Sequence, residues 1–381
     1  MVWKSNGSVR ITADLTKLND QVIRSTHPST TPQDAIQSFK PDDKFFIKMD
    51  LRKGYWQMPI EEESQQYTTC ICPGEGKYKW LRAPMGFIST GDSYSQRGDA
   101  AMEGLDIQKV VDDIAFGAKN YQDLMRKQLE VLERCNKYGL TVNAEKSMLA
   151  GAKKIEFVGY EISENCIKPM KKKINAISDF KIPANRTDLR SFTSLASGLG
   201  KFSPGLAKAM EPLRDLLKTR NEFKWYANHT EAFEEVKKIL TSSTSLAMYD
   251  PKKPTRLETD ASRTGLGFVL MQAQGKDLNT NEEIWKWIQA GSRFLTDAET
   301  RYAMVELEAL GVYYAIKKCH LFLSGTKDFE VIVDHKPLIP MFNTQLIPHI
   351  ENPRVQNYRS KLGNYRFKLR WKKGNMHCIP D

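Results

Sequence analysis

Residues 109–118 read KVVDDIAFGA and set Asp112 and Asp113 side by side within an apolar run typical of a β-strand. Successive side chains of a flat strand point to opposite faces, so one of the two carboxylates would face the core. Burying an unpaired carboxylate is costly unless a partner or a metal ion compensates for the lost hydration. A hairpin that carries both acids at its tip, with apolar strands on either side, avoids this cost. Such a tip is a natural place to hold a divalent metal ion.

A third acid stands at the end of an earlier strand-like run. In FFIKMD (residues 45–50), Asp50 follows apolar residues and precedes a predicted turn at Gly54. If this strand pairs beside the hairpin, Asp50, Asp112 and Asp113 join one cluster, and their hard oxygen ligands favour Mg²⁺ or Mn²⁺ over Zn²⁺. The alternative is that Asp50 only caps a turn and that the acidic pair lies in an exposed loop.

The length, net charge and cysteine pattern of the chain limit the classes of protein to which it can belong. The chain has 381 residues, which is enough for two or three domains. Its formal net charge of +11 favours a polyanionic partner, most often nucleic acid, although a soluble basic protein without such a partner stays an alternative. No apolar run approaches the roughly 18 residues that a membrane-spanning helix needs, so we expect no membrane partner. The six cysteines form no CxxC pair, which argues against a zinc site or a disulfide framework and favours a reducing intracellular compartment.

The pattern of apolar residues divides the chain into three parts. Up to about Tyr160, short strand-like runs alternate with glycine and proline breaks. YWQMPI (residues 55–60) follows a glycine turn, and residues 121–138 have helical spacing. Residues 168–241 are predominantly helical, and beyond Met248 strands alternate with a long helix, as in an α/β layer. KDLNTNEEIWKWIQAG (residues 276–291) is predicted to be a surface excursion.

Six segments of the first part resemble, in order, the motifs of reverse transcriptases from gypsy-type LTR retrotransposons. They are SVRITADLTKLN (8–19), FFIKMDLRKGYWQMPI (45–60), KYKWLRAPMGF (77–87), VVDDI (110–114), GLTVNAEKS (139–147) and FVGYEIS (157–163). Six motifs in the right order are far more specific than any one of them. The resemblance implies that Asp50, Asp112 and Asp113 are the polymerase carboxylates, which hold two Mg²⁺ or Mn²⁺ ions.

The same resemblance implies roles around the nucleotide. Tyr55 would exclude a ribose 2′-hydroxyl by sterics, and Arg10 would contact the incoming triphosphate. Gly86 would let the backbone approach the nucleotide, Lys146 would lie near the departing pyrophosphate, and Lys4 is a weaker phosphate candidate. The alternatives are a core aromatic at Tyr55 and solvated charges at Arg10 and Lys146.

The last part of the chain carries a second set of acids. TDASRTGLGFVLMQ (259–272), YAMVELEALG (302–311), VDHKPL (333–338) and GNMHCIPD (374–381) resemble the ribonuclease H domain of the same elements. The resemblance implies that Asp260, Glu308, Asp334 and Asp381 hold two further metal ions and hydrolyse the RNA strand of an RNA–DNA hybrid. Lone acids are normally surface charges, which is the alternative for each of them.

Two glutamates compete for the helical position of this second set. Glu306 and Glu308 lie two residues apart on a predicted helix, so their side chains point in different directions and cannot both serve one cluster. The ungapped match favours Glu308. His335, which follows Asp334, is expected to be a structural or substrate-side residue.

Several positions depart from the family pattern. Val110 stands where tyrosine is usual and Thr16 where arginine is usual, and GFISTGDSYSQRGD (86–99) differs from the usual N-A-P-x-x-F-Q continuation. Compared with the family, the first domain lacks its beginning and the last its end. The chain is therefore expected to be an excerpt of a polyprotein, or a decayed copy.

Together these patterns predict a multidomain α+β and α/β fold, a right-hand polymerase with fingers, palm and thumb followed by a ribonuclease H-like domain. The predicted domains are 1–165 (fingers and palm), 166–244 (helical thumb and connection) and 245–381 (ribonuclease H-like). The predicted function is RNA-directed DNA polymerase with ribonuclease H activity. The alternative is a non-catalytic nucleic-acid-binding remnant, decayed or domesticated.

The predicted partners follow from that function. They are an RNA template, a DNA primer, the RNA–DNA hybrid and deoxynucleoside triphosphates, with a homodimer left open. The predicted location is intracellular, in a cytoplasmic virus-like particle, with a nuclear phase left open.

Overall fold

The computed structural model describes residues 2–3, 7, 9–72, 74–219, 221–242, 245–277, 281–326 and 328–373. The chain divides into two compact units, Met1–Asn165 and Cys166–Asp381. The division into three domains stays a prediction.

The first unit is built on a four-stranded antiparallel sheet of order β6-β7-β3-β8. Two hairpins, β4–β5 and β9–β10, and the short pair β1–β2 accompany it. The strands are β1 (Val2–Trp3), β2 (Val9–Arg10), β3 (Phe45–Asp50), β4 (Cys70–Cys72), β5 (Gly76–Tyr78), β6 (Gln108–Val110), β7 (Asp113–Ala118), β8 (Met148–Ala152), β9 (Lys154–Phe157) and β10 (Tyr160–Ser163).

The described part of the first unit has five α-helices. They are α1 (Thr16–Asn19), α2 (Pro32–Gln37), α3 (Glu62–Gln65), α4 (Thr90–Met102) and α5 (Tyr121–Tyr138). Of these, α4 and α5 share an apolar core with this sheet. Helix α5 buries Leu124, Val131 and Cys135 on one face, begins at an Asn120 cap whose side chain accepts from the Asp123 N–H, and ends at Gly139.

The segment YWQMPI begins within a 3₁₀ turn, Gly54–Gln57. One expectation for the first unit is wrong. Helix α4 occupies a segment in which strand-like runs and breaks were expected. Its buried face consists largely of small and polar residues, among them Thr90, Asp92, Ser95 and Gly98, so it has no apolar periodicity to detect.

The second unit combines helices with a five-stranded sheet. Its first elements are β11 (Cys166–Pro169), α6 (Lys171–Ser178), α7 (Arg186–Ser197), α8 (Leu206–Leu217) and α9 (Ala227–Thr241). The later elements are β12 (Thr255–Ala261), β13 (Gly265–Lys276), β14 (Glu283–Phe294), α10 (Met304–Lys318), α11 (His320–Leu323), β15 (Phe329–Val333), α12 (Leu338–Asn343), α13 (Pro353–Lys361) and β16 (Phe367–Trp371).

The sheet of the second unit has the order β14-β13-β12-β15-β16. Strands β12 to β14 form an antiparallel meander, whereas β15 runs parallel to both β12 and β16. Helices α10, α12 and α13 share one apolar core with the sheet. The predicted surface excursion is wrong, because Glu283–Phe294 forms the edge strand β14 and buries Ile288 and Ala290.

Among the described residues, no helix has both the length and the apolar character needed to cross a bilayer.

Candidate active sites

The β6–β7 hairpin and strand β3 bring the first three acids to one end of the sheet. Asp50 and Asp113 are directly opposite each other in the antiparallel register, which places their Cα atoms about 5 Å apart. The Leu51 N–H donates to the Asp112 carbonyl at 2.9 Å, so the tip of the hairpin is tied to the end of β3. The structure thus brings Asp50, Asp112 and Asp113 together. Only Asp112 lies in the turn itself, since Asp113 begins β7.

The hairpin turn is made of Val111 and Asp112, because Val110 pairs with Asp113. Val111 has a φ of +53°, which is rare for a β-branched residue and is normally left to glycine. Strained backbone of this kind persists only when the surroundings fix it, and it concentrates at functional sites.

The three carboxylates differ in their burial and in their charged neighbours. Burial raises the pKa of the Asp112 carboxyl, and the Asp50 and Asp113 carboxylates add to that rise, whereas Tyr94 and Lys109 lower it. Asp113 pairs with Lys48, whose Nζ lies 3.2 Å from Oδ1. The Oδ1 atom of Asp112 is buried and has no hydrogen-bond partner of standard geometry in the described part of the chain. Three converging carboxylates, one of them with a buried oxygen, fit a site for a divalent cation.

Gly54 leaves the space in which Asp112 sits. A methyl group at residue 54 would lie 2.4 Å from Asp112 Oδ1 and 2.6 Å from the Tyr94 hydroxyl, closer than real contacts allow. The neighbouring Tyr55 is half-buried and packs edge-on against the Tyr94 ring, with the ring centres 5.5 Å apart. Burial raises the pKa of Tyr55, and the Asp112 and Asp92 carboxylates add to it. The Tyr55 ring therefore lies beside the carboxylates.

The other residues predicted to contact the nucleotide differ in their position and in whether the structure describes their side chains. Lys146 is exposed, and its Nζ lies 3.8 Å from Asp50 Oδ1. Gly86 has a φ of +111°, and a methyl group there would lie 2.3 Å from the Ala13 carbonyl oxygen, so packing within the protein already requires glycine. The Arg10 backbone lies in β2, but its side chain lies outside the described residues, as does Lys4.

A second acidic cluster forms in the other unit. Asp260 is the last residue but one of β12, Glu308 lies in the second turn of α10, and Asp334 follows β15. One carboxylate oxygen from each lies within 4.8 Å of the others, so the three side chains could hold a metal ion. Glu308 is buried, and Asp260 and Asp334 are half-buried. The predicted fourth acid, Asp381, lies outside the described residues.

The structure separates the roles of the two competing glutamates. Glu306 accepts from the Ala303 N–H at 2.9 Å, from Asn352 at 3.1 Å and from Arg354 at 2.8 Å. It therefore caps α10 and binds α13, and it is absent from the acidic cluster.

Strand β16 holds the carboxylate-bearing strands in place. The Trp371 indole N–H donates to the Asp334 carbonyl at 3.0 Å, and the Lys372 N–H donates to the Val333 carbonyl at 3.1 Å. Lys372 Nζ lies 3.4 Å from a carboxylate oxygen of the fully buried Glu258, two residues before Asp260. These contacts join β12, β15 and the end of β16 and so hold the backbone around the acidic cluster. His335 is half-buried, and its role stays a prediction.

Residues that sequence reasoning missed lie around Asp112. The Tyr94 hydroxyl, the Lys48 ammonium and the buried Lys109 were not singled out. Tyr94 lies within residues 86–99, a segment noted only because it departs from the family motif. For the two lysines, nothing in the local pattern distinguishes them from solvated charges.

Two family models match the chain in consecutive regions. Residues 2–162 match the reverse transcriptase (RNA-dependent DNA polymerase) family, and residues 250–365 match the RNase H-like domain found in reverse transcriptase. The first match contains the Asp50 cluster, and the second contains the Asp260 cluster.

Among curated proteins, the chain is similar over its whole length to transposon polyproteins of Schizosaccharomyces pombe. It is 27% identical to the Transposon Tf2-3 polyprotein over 387 aligned positions and 26% identical to the Transposon Tf2-7 polyprotein over 386. The chain spans 28% of the length of these relatives.

Solved structures share the fold. A foamy viral protease-reverse transcriptase in complex with dsDNA matches all of the chain and 77% of its own length, with a TM-score of 0.83 and 22% identity. The same enzyme in complex with an RNA/DNA hybrid matches 97% of the chain and 49% of its own length, with a TM-score of 0.78 and 20% identity. These likenesses confirm the predicted fold class. The two domain matches and the full-length similarity to transposon polyproteins together place the chain in the reverse transcriptase–ribonuclease H region of gypsy-type LTR-retrotransposon polyproteins.

Proposed function

We propose that the protein is an RNA-directed DNA polymerase that also hydrolyses the RNA strand of RNA–DNA hybrids. The observation that carries this proposal is the presence of two acidic clusters, one within each matched domain. A remnant that had lost its chemistry long ago would have no reason to retain both.

In the polymerase site, Asp50 and Asp112 would be the principal ligands of two Mg²⁺ or Mn²⁺ ions, with Asp113 adjacent. When bound, the ions would activate the attacking primer 3′-hydroxyl and neutralise charge on the α-phosphate. The protein contributes mainly position and electrostatics. The backbone bond between Leu51 and Asp112 fixes the hairpin tip against β3, and Lys48 keeps the Asp113 carboxylate paired.

Selection and binding of the nucleotide are assigned to four residues. Tyr55 would block a ribose 2′-hydroxyl, which is supported by its half-buried ring beside the carboxylates. Lys146, exposed next to Asp50, would meet the departing pyrophosphate. Arg10 would contact the triphosphate, and Gly86 would line the nucleotide from the backbone.

In the ribonuclease site, Asp260, Glu308 and Asp334, together with Asp381, would hold two further divalent ions. The buried Glu308 is fixed by its helix, while β16 fixes the strand end that carries Asp334. This arrangement keeps the three carboxylates converged without movement of the backbone.

The partners we propose are an RNA template, a DNA primer, RNA–DNA hybrid and deoxynucleoside triphosphates. The net charge of +11 and the similarity to enzymes solved with dsDNA and with RNA/DNA hybrid support them. A cytoplasmic virus-like particle is the location we propose, from the similarity to transposon polyproteins. A homodimer and a nuclear phase stay predictions.

Primer extension on poly(rA)–oligo(dT) with Mg²⁺ tests the polymerase assignment. We expect extension by the native chain and its loss in Asp112→Asn, which keeps the shape of the side chain but removes its charge. Absence of Mg²⁺-dependent extension above the Asp112→Asn background would favour the non-catalytic binding remnant. Retained binding of labelled hybrid in the same preparations would identify that remnant.

A further inference from the structure

Tyr94 lies beneath the polymerase carboxylates and is almost completely buried, with 1% of its surface exposed. It belongs to α4, and its ring packs edge-on against Tyr55. Its hydroxyl is therefore enclosed within the protein rather than exposed to solvent.

That hydroxyl meets the carboxylate of Asp112. Tyr94 Oη and Asp112 Oδ1 both lie within 2.6 Å of the point where a methyl group on Gly54 would stand. Both atoms are buried, and within the described ranges neither has a hydrogen-bond partner of standard geometry. Leaving a buried donor and a buried acceptor unsatisfied is unfavourable, and these two groups can satisfy each other.

We propose that Tyr94 is a positioning residue of the polymerase site, whose hydroxyl donates a hydrogen bond to Asp112 and orients that carboxylate toward the metal ions. The inference rests on the proposed function, because it requires Asp112 to be a metal ligand. Partners that hold a ligating carboxylate typically change metal affinity or activity by about 10- to 100-fold when removed.

The geometry explains why the hydroxyl is needed here. The Asp112 carboxylate follows Val111, whose strained backbone puts the side chain at the end of a two-residue turn. Asp113 has Lys48 to hold it, and Asp50 has Lys146 nearby. Among the described residues, the Tyr94 hydroxyl is the polar group that lies beside Asp112 Oδ1 next to Gly54, so its loss would remove the contact that orients this carboxylate.

The test compares Tyr94→Phe with a control, Tyr160→Phe. Tyr160 is another buried tyrosine of the first unit, in β10, with 3% of its surface exposed. Both variants are made in a chain that carries Asp260→Asn and Asp334→Asn, so that the second acidic cluster does not contribute. Binding of Mn²⁺ is measured by electron paramagnetic resonance, and the Mg²⁺ dependence of primer extension is measured in parallel.

We expect Tyr94→Phe to raise the Mn²⁺ dissociation constant and the Mg²⁺ concentration for half-maximal extension by about 10-fold. Tyr160→Phe should leave both unchanged. If Tyr94 only supported the fold, Tyr94→Phe would lower the free energy of unfolding but leave the Mn²⁺ dissociation constant and the Mg²⁺ concentration for half-maximal extension unchanged. Mn²⁺ affinity of Tyr94→Phe within about twofold of its parent, or tighter, would overturn the inference. A parent chain that binds no Mn²⁺ would overturn the proposed polymerase site itself.

Discussion

Glu306 and Glu308 are two residues apart on α10, yet their surroundings are opposite. Glu306 has three hydrogen-bond donors within 3.1 Å, whereas Glu308 converges with Asp260 and Asp334. The helix thus directs the Glu306 carboxylate to contacts that stabilise the fold and the Glu308 carboxylate to the candidate metal site.

This difference predicts two distinct phenotypes. Glu308→Gln should abolish hybrid cleavage with little loss of stability. Glu306→Gln should retain cleavage at low temperature but lower the free energy of unfolding by about 1–3 kcal/mol, because the Arg354 guanidinium loses its charged partner. Hybrid-cleavage rates and urea unfolding check both variants. Loss of cleavage in Glu306→Gln without loss of stability would reverse the assignment.

Arg293 and Glu299 form a two-bonded ion pair with N–O distances of 2.7 and 2.8 Å. The Arg293 guanidinium lowers the pKa of Glu299 to about 2, against the ordinary glutamate value of 4.5. Since the folded pKa lies below the unfolded one, the stabilisation is complete above about pH 4.5. It is lost as the pH falls toward about 2.

We therefore predict that Glu299→Gln lowers the unfolding free energy of the second unit by up to about 3 kcal/mol at neutral pH. The difference between native chain and variant should shrink steadily between about pH 5 and pH 2. Thermal unfolding across that range measures it. A difference that is constant with pH would show that the ion pair is not its source.

At the scale of elements, the turn at Gly54 determines whether the hairpin can close against β3. A methyl group there would meet Asp112 Oδ1 and the Tyr94 side chain at 2.4–2.6 Å, and the almost completely buried Tyr94 has no free space to move into.

Gly54→Ala should therefore reduce primer extension by at least about 100-fold while hybrid cleavage stays near the native rate. The matched control is Gly205→Ala, since a methyl group at Gly205 would have no neighbour within 4 Å. Extension and cleavage are measured on the same preparations. Near-native extension in Gly54→Ala would mean that Asp112 does not occupy the position described.

Local sequence patterns predicted the elements whose cores are apolar. Helix α5 and strand β3 follow from periodic or continuous apolar residues, and the acidic ends of β3 and β12 follow from motifs. Helix α4 was not predicted, because small and polar side chains fill most of its buried face and leave no apolar periodicity. Strand β14 was not predicted either, because a polar segment precedes it and its burial depends on pairing with β13. The Tyr94–Asp112 contact joins distant segments, so no local pattern could predict it.

At the scale of the whole molecule, the excess positive charge lies in the second unit, because residues 166–381 carry 35 Lys and Arg against 23 Asp and Glu, whereas residues 1–165 carry 22 against 23. Lys171 and Lys172 are exposed at the start of α6, and the net charge of the chain is +11. If nucleic acid neutralises about six of these charges, binding of hybrid should weaken by roughly 10³-fold between 50 and 200 mM salt. Fluorescence anisotropy at graded salt measures the slope. Affinity that does not depend on salt would exclude the phosphate contacts.

The central claim is that each of the two units contains its own acidic active site. The most direct test measures primer extension and hybrid cleavage side by side in the native chain, Asp112→Asn and Asp260→Asn. Each substitution should reduce its own activity by more than about 100-fold, because several kcal/mol of metal-dependent stabilisation is lost, and should spare the other activity. Loss of both activities in either variant, or of neither, would contradict the claim.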